Sequence, residues 1–209
     1  MSVQKDVFEG GKMLPLVEEF YTVQGEGYHT GKAAYFIRIG GCDVGCAWCD
    51  TKFAWNPDLH PLVPFGQIID HVLEQPVKDV VVTGGEPLMV NMGPLTQSLK
   101  AHGIGTFLET SGAYPLSGCW DWICLSPKEG AAPVGNIHQL ADELKVIIHD
   151  EADFRRAEEH ASLVGEKCFC YLQPEWSRRE AMIPLITAYV MANPKWMVSI
   201  QAHKYLHIP

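Results

Sequence analysis

The chain alternates short apolar runs with amphipathic stretches. Seven runs, at 34–39, 79–83, 106–109, 122–125, 144–149, 168–172 and 197–201, are apolar on successive positions and bounded by turn or charged residues, which predicts buried strands. Continuous rather than alternating, they suit a parallel sheet covered on both faces. Between them the period changes. Phe65, Ile68, Ile69, Val72 and Leu73 fall at i, i+3, i+4, i+7 and i+8, one apolar stripe of a helix. Leu95 and Leu99 mark a second helix, with Gly103 at its C-terminal stop. Asp150 is placed to cap a third, and a fourth over 178–192 would bury Leu185, Ile186, Tyr189 and Val190. Alternating β and α elements imply right-handed crossovers within one parallel sheet. The expected fold class is therefore α/β. A complete eight-stranded barrel typically needs about 250 residues. With 209 residues, the chain is expected to form a partial, incomplete TIM-type barrel with a mostly parallel sheet, as one domain over 1–209. The working end of such a barrel lies where the strand C-termini meet the loops.

Composition narrows the chemistry. No apolar run approaches the length of a membrane span. The start, MSVQKDVFEGGK, lacks the apolar core of a secretory leader. Seven cysteines, an odd number and partly clustered, suit a reducing cytoplasm better than a disulfide framework. A net charge of −9 argues against a surface that tracks phosphates, so a small molecule is a better expected partner than nucleic acid.

The cysteine cluster is the most informative chemistry. Cys42, Cys46 and Cys49 lie in GGCDVGCAWCDTKF with C-x-x-x-C-x-x-C spacing, and Gly40, Gly41 and Gly45 allow the tight loop that turns three thiolates toward one object. A structural zinc site wants a fourth ligand, usually from a second knuckle, and none follows; Cys168 and Cys170 sit in an apolar strand-like run. A cubane iron–sulfur cluster held by three thiolates keeps one iron open to a ligand. A second motif, KDVVVTGGEPLM, is a buried strand ending in a Gly-Gly turn at Gly84 and Gly85, followed by Glu86 and Pro87. The segments LSPK and LQPEW also follow strands, as does LETSG with Glu109, Thr110 and Ser111. Each reads on its own as a proline- or glycine-broken loop. Lys145 and His149 read as core-edge or solvated residues.

The cysteine triplet with Trp48 before its third member, followed by GGEP after the next strand, resembles the radical S-adenosylmethionine superfamily. That resemblance implies a 4Fe–4S cluster on Cys42, Cys46 and Cys49 whose open iron is chelated by S-adenosylmethionine. It also implies reductive cleavage to a 5′-deoxyadenosyl radical that abstracts a substrate hydrogen. Together with VQGEG, CDTKFAW, LSPK, LQPEW and the terminal HKYLHIP, these motifs resemble the 7-carboxy-7-deazaguanine synthase family from about Glu18 to Pro209.

The family resemblance implies a ring contraction of 6-carboxy-5,6,7,8-tetrahydropterin, with loss of ammonia, in queuosine and 7-deazapurine biosynthesis. It implies S-adenosylmethionine contacts at Trp48, Cys49, Asp50, Gly85, Ser126, Pro127, Lys128, Gln173, Pro174, Glu175 and Trp176. It assigns Mg²⁺ to Thr51, and the pterin to Val23, Gln24, Gly25, Arg38, Thr83 and the carboxylate of Pro209. A guanidinium fork such as Arg38 matches a carboxylate, and Mg²⁺ prefers oxygen ligands. An electron donor such as a flavodoxin or ferredoxin, a homodimer and a cytoplasmic setting complete the expectation. The strand ELKVII lacks the glycine pattern that often packs the adenine. Two rival readings remain: a glycyl-radical activating enzyme, which shares the cysteine loop, and a zinc-binding module without catalysis.

Overall fold

A computed structural model describes residues 10–209, so the start of the chain, where no leader is expected, lies through residue 9 outside the described residues. Nine strands form one sheet: β1 (Met13–Val23), β2 (Ala33–Ile39), β3 (Leu62–Pro64), β4 (Asp79–Gly84), β5 (Gly105–Thr110), β6 (Trp122–Leu125), β7 (Glu143–Ile148), β8 (Phe169–Pro174) and β9 (Trp196–Val198). Their order is β3-β1-β2-β4-β5-β6-β7-β8-β9, and the sheet does not close on itself. From β2 through β4 to β9 all neighbours are parallel, while β1 runs antiparallel to both β2 and β3. The helices are α1 (Phe65–Leu73), α2 (Gly93–Ala101), α3 (Ile137–Leu140), α4 (Ala152–Ala161), α5 (Arg179–Ala192) and α6 (Ala202–Leu206). The expected incomplete barrel with a mostly parallel sheet is what forms.

Strand alternation sorts the residues into two layers. In β7, Leu144, Val146 and Ile148 join the apolar core beneath the helices, together with Leu108, Leu125, Leu172 and Ile186. The intervening Glu143 and Lys145 take the other face. In β2 and β4, Tyr35, Ile37, Ile39, Val80 and Val82 pack with Ile68 of α1 and Leu95 of α2 in a second core. Arg38 and Thr83 line a cavity on the opposite side. Apolar residues thus hold the helices to the sheet, and the inner face is left for chemistry.

At the N-terminal ends of the strands, the loop between β1 and β2 folds inward. Tyr28 stacks on Trp122 at 4.8 Å between ring centroids, and His29 stacks on Phe107 at 4.5 Å. The Gly27 N–H donates to Ser199 Oγ at 3.0 Å. Gly27 has φ +64°, and a Cβ there would come within 1.9 Å of Glu143 Oε1. This end of the half-barrel is therefore sealed, and only the other end opens.

Several local expectations are corrected. The long strand β1 was not among the seven expected strands, because a β-bulge between Leu16 and Glu18 breaks its period-two pattern. The strand expected over 197–201 stops at Val198; the Ser199 N–H bonds to Leu172 O at 2.9 Å, and the chain then turns into α6, which was not anticipated. In α5, Met182 and Ile186 are buried whereas Leu185 is 38% exposed. Asp150 accepts from the Ala152 N–H at 2.9 Å, but the cap position of α4 is Glu151.

Glu143 yields a test of this packing. It is buried, accepts from the Tyr28 N–H and Trp122 Nε1–H through Oε2, and leaves Oε1 without a partner. Burial pushes its carboxyl up to about 7. A folded-state value above the unfolded one means that its stabilising contribution is complete below the ordinary carboxylate range and is lost as pH rises through about 7. Glu143→Gln should flatten the fall in melting temperature between mildly acidic and mildly alkaline pH. At the alkaline end it should gain roughly 1–3 kcal/mol over the parent, the scale of a buried group relieved of uncompensated charge. Parallel melting curves for parent and variant across that range would refute it.

Candidate active site

The open end of the half-barrel is one cavity of about 280 Å³. After β2, Gly40 N–H bonds to Pro15 O at 2.7 Å, Gly41 N–H to Ala54 O at 2.8 Å and Cys42 N–H to Trp55 O at 3.0 Å. These bonds pin the base of the cysteine loop to β1 and to the end of the short 3₁₀ turn Lys52–Ala54 with its cap Trp55. Gly41 and Gly45 take φ +109° and +71°, which side chains other than glycine rarely adopt. Cys42, Cys46 and Cys49 are free thiols, partly buried, and all three line the cavity. Burial pushes the Cys42 and Cys46 thiols up, so metal must displace protons to bind them. Cys49 Sγ receives the Thr51 N–H at 3.4 Å, and Thr51 Oγ1 lies at the same distance from it.

The remaining cysteines do not join this loop. Cys168 lies just before β8 and Cys170 near its start, at the sealed end, Cys124 is buried in β6, and Cys119 is exposed. Among the described residues no three His, Cys, Asp or Glu side chains converge on a single-ion site. Three thiols on one loop at one cavity, with no fourth cysteine beside them, fit a cubane that keeps one iron open better than a four-ligand structural zinc site.

The Gly-Gly turn after β4 packs directly against this loop. The Gly85 N–H bonds to Ile39 O at 2.9 Å and the Glu86 N–H to Gly41 O at 2.7 Å. A Cβ at Gly85 would fall 2.2 Å from Gly41 O. Glu86 is 1% exposed and serves as a brace: its carboxylate accepts from the Leu88 N–H at 3.1 Å, Thr110 Oγ1 at 2.6 Å, the Ser111 N–H at 2.8 Å and the Ser111 hydroxyl. Gly85 lines the cavity, as do Trp48, Asp50 and Thr51.

The opposite wall comes from the ends of β6 and β8. Lys128 donates to Ser126 O at 2.6 Å and lies 5.9 Å from the Trp48 ring centre; burial lowers its pKa. Ser126 and Lys128 line the cavity whereas Pro127, between them, does not. Gln173, Pro174, Glu175 and Trp176 all line it. Glu175 caps the 3₁₀ turn Trp176–Arg178 by accepting from the Ser177 and Arg178 N–H groups at 3.0 and 3.2 Å. Trp176 meets Tyr205 edge-on at 5.3 Å, and Lys204 of α6 reaches Asp50 Oδ2 at 2.6 Å.

The floor gathers Val23, Gln24, Gly25, Arg38, Thr83 and Pro209. Arg38 is held through Nε by Glu18 at 2.7 Å. The Ala202 N–H bonds to Gly25 O at 2.8 Å, and a Cβ on Gly25 would strike His203 Nδ1 at 2.3 Å. Four floor residues were not assigned from sequence: Glu26, Glu109, Lys145 and His203. Lys145, read as core-edge, is 4% exposed in side chain and bonds Glu26 Oε2 and Glu109 Oε2 at 2.8 Å each. Burial would raise Glu26, yet the Lys145 charge and the Gln201 amide bring it down to about 2. The signal was present in ELKVII, where two charged residues two apart share one strand face. His149 is solvated, as expected, with a side chain 43% exposed.

Comparison with known proteins gives a consistent result. Residues 36–168 match the model of the radical SAM superfamily. A 7-carboxy-7-deazaguanine synthase of Flavobacterium psychrophilum is 58% identical over 201 residues, covering 96% of this chain and 95% of that protein. One from Synechocystis is 46% identical, covering 93% of each. The crystal structure of QueE from Escherichia coli superposes with a TM-score of 0.83 at 30% identity, covering 97% of this chain and all of that one.

The loop geometry predicts which thiols matter. Ala at Cys42, Cys46 or Cys49 should abolish the brown absorbance of anaerobically reconstituted protein and reduce bound iron from roughly four per chain to a minor fraction. Ser at Cys119, Cys124, Cys168 or Cys170 should leave both unchanged. Loss of the cluster in a folded variant of this second group would overturn the ligand assignment.

Proposed function

Because this chain belongs to the radical SAM superfamily and within it to the 7-carboxy-7-deazaguanine synthase family, we propose that it contracts the ring of 6-carboxy-5,6,7,8-tetrahydropterin to 7-carboxy-7-deazaguanine with loss of ammonia. Membership makes it a carbon–nitrogen lyase of the queuosine pathway that uses a 4Fe–4S cluster and S-adenosylmethionine and acts on a small molecule. When bound, those two groups supply the one-electron cleavage that starts the reaction on the substrate. The chain's own residues bind, orient and shield.

The observation that carries the substrate reading is a single cavity with the cysteine loop on one side and a polar floor on the other. On this reading Cys42, Cys46 and Cys49 hold the cluster. Trp48 to Asp50, Gly85, Ser126, Lys128 and Gln173 to Trp176 hold S-adenosylmethionine, and Pro127 shapes the turn between Ser126 and Lys128. Arg38 meets the pterin carboxylate, Val23 to Gly25 and Thr83 meet its ring, and Glu26 and Glu109 offer acceptors to its N–H groups. Thr51, next to Cys49 Sγ, offers a hydroxyl to Mg²⁺. The α6 segment and the Gly25–Ala202 bond cover one side of the floor, which favours a small substrate over the protein glycine of an activating enzyme. We read residues 1–209 as one domain, working as a homodimer in the cytoplasm and reduced by a flavodoxin or ferredoxin. No helix among the described residues is long and apolar enough to cross a membrane.

The direct test is anaerobic incubation with the carboxytetrahydropterin, dithionite and S-adenosylmethionine. The deazaguanine chromophore should grow over many turnovers per S-adenosylmethionine consumed, and its absence with intact cluster would reject the reading. In the same assay Thr51→Val, which keeps the shape but removes the oxygen, should lose most of the stimulation by Mg²⁺ while retaining iron. Undiminished stimulation would remove Thr51 from the metal site.

Pro209 lines the cavity, and its carboxylate is proposed to accept from the pterin. A charge-assisted bond of this kind contributes about 1.5–3 kcal/mol, so extending the chain by a C-terminal tag should raise the apparent KM about tenfold or more. A tagged protein with the parent KM would count against it.

A further inference from the structure

Lys145 is a buried ammonium in the middle of the inner face of β7, and the family assignment gives it no task. It projects from the middle of β7, and groups from the β1–β2 loop, β5, β6 and its own strand face it. Glu26 comes from the β1–β2 loop, Glu109 from β5, Cys124 from β6 and Glu143 from its own strand; Lys128 beyond β6 and His203 of α6 add positive charge or its potential. Its two contacts are equal, 2.8 Å to one oxygen of Glu26 and 2.8 Å to one oxygen of Glu109. Each carboxylate is tied elsewhere by its second oxygen. Gln201 Nε2 donates to Glu26 Oε1 at 2.9 Å, and Gln24 Nε2 reaches Glu109 Oε1 at 3.5 Å. All these residues except Cys124 and Glu143 line the cavity.

We propose that Lys145 is a positioning residue that keeps Glu26 and Glu109 ionised and side by side, so that the wall presents two anionic acceptors to a donor-rich ring edge. A carboxyl that takes up a proton becomes a donor on one oxygen and repels an N–H group instead of receiving it. Two carboxylates that converge on one Nζ, above the buried Glu143, cannot both stay ionised without the ammonium between them, because like charges at that spacing disfavour double ionisation. Lys145 therefore decides whether the wall accepts or rejects a pterin edge, without itself being required to touch the substrate. The identity of the ring rests on the function proposed above; the control of the two carboxylates does not.

The two can be separated in one experiment on the cluster-loaded protein without reductant. Infrared difference titration reads carboxyl protonation, and equilibrium binding of the carboxytetrahydropterin is followed over the same pH range. All proteins compared carry Glu143→Gln, which removes the carboxyl that burial already keeps protonated near neutral pH. In Lys145→Met on this background a protonated carboxyl stretch should be present near neutral pH and be lost only about two units above the ordinary carboxylate range. It should be absent in the background protein, which serves as the parent, and in Lys145→Arg. Pterin binding by Lys145→Met should be weakened at least tenfold at neutral pH and recover as the pH is raised, with S-adenosylmethionine affinity unchanged. The double variant Glu109→Gln/Lys145→Met, which removes one charge of each sign, should fold even where the single variant does not, and should lose the added carboxyl stretch. If no protonated carboxyl appears in Lys145→Met, or if its binding profile parallels the parent's, the proposal is overturned. If that carboxyl appears and yet neither parent nor variant binds the pterin, the positioning role stands and the substrate reading falls.

Discussion

The backbone contact between the Gly84–Gly85 turn and the start of the cysteine loop is the constraint on which the site depends. At Gly84 a Cβ would meet Ile39 O at 2.1 Å, and at Gly85 it would meet Gly41 O at 2.2 Å and Cys42 Cβ at 2.9 Å. Neither can move away cheaply, because those same carbonyls receive the Gly85 and Glu86 N–H groups. Glu86 then carries the constraint onward to Thr110 and Ser111 at the end of β5. One buried carboxylate and two missing side chains thus hold the ends of β2, β4 and β5 in a fixed relation. The cysteine loop inherits its position from that relation, and thiols held on an otherwise open loop can meet a rigid cluster without paying for order at the moment of binding.

A second division of labour runs across the sheet. The helix-facing residues of the parallel strands are mostly aliphatic and buried, while the inner face of β7 carries the buried charges Glu143 and Lys145. Such charge is tolerable only where it is paired or reaches solvent. Lys145 with Glu26 and Glu109 satisfies the first condition and the cavity supplies the second. Glu143, deeper and nearer the sealed end, satisfies neither fully, and its raised pKa records that.

Much of this was legible in the sequence. Seven strands of the sheet and the helices α1, α2, α4 and α5 lie where spacing put them, and the residues to which the resemblance assigns contacts, Pro127 excepted, line one cavity. What was missed shares a physical origin. β1 was masked by a bulge, which breaks the alternation that pattern reading relies on. The end of β9 and the helix α6 depend on Ser199, whose hydroxyl donates to Gln173 Oε1 at 2.6 Å, a contact set by the neighbouring strand. Lys145 was passed over because a lysine within an apolar run has no local partner to advertise it. Glu26 and Glu109 reach it from segments far away in sequence.

That separation has a consequence for how the protein comes into being. The bonds that join Gly27 to Ser199 and Gln201 to Glu26 link positions 172 and 175 residues apart. Chain emerges from the ribosome N-terminal end first, and parallel strands β2 through β8 can add to one another in the order they are made. The wall formed by α6 and the bonds to Gly25 must wait until residues beyond 200 are free, and contacts of such span form late in any case. Through most of synthesis the cysteine loop is therefore present beside an unfinished, water-filled trough. Metal delivered at that stage would sit where oxygen and solvent reach it freely, so this architecture favours loading the cluster after translation, on a chain whose C-terminal segment has already met the β1–β2 loop.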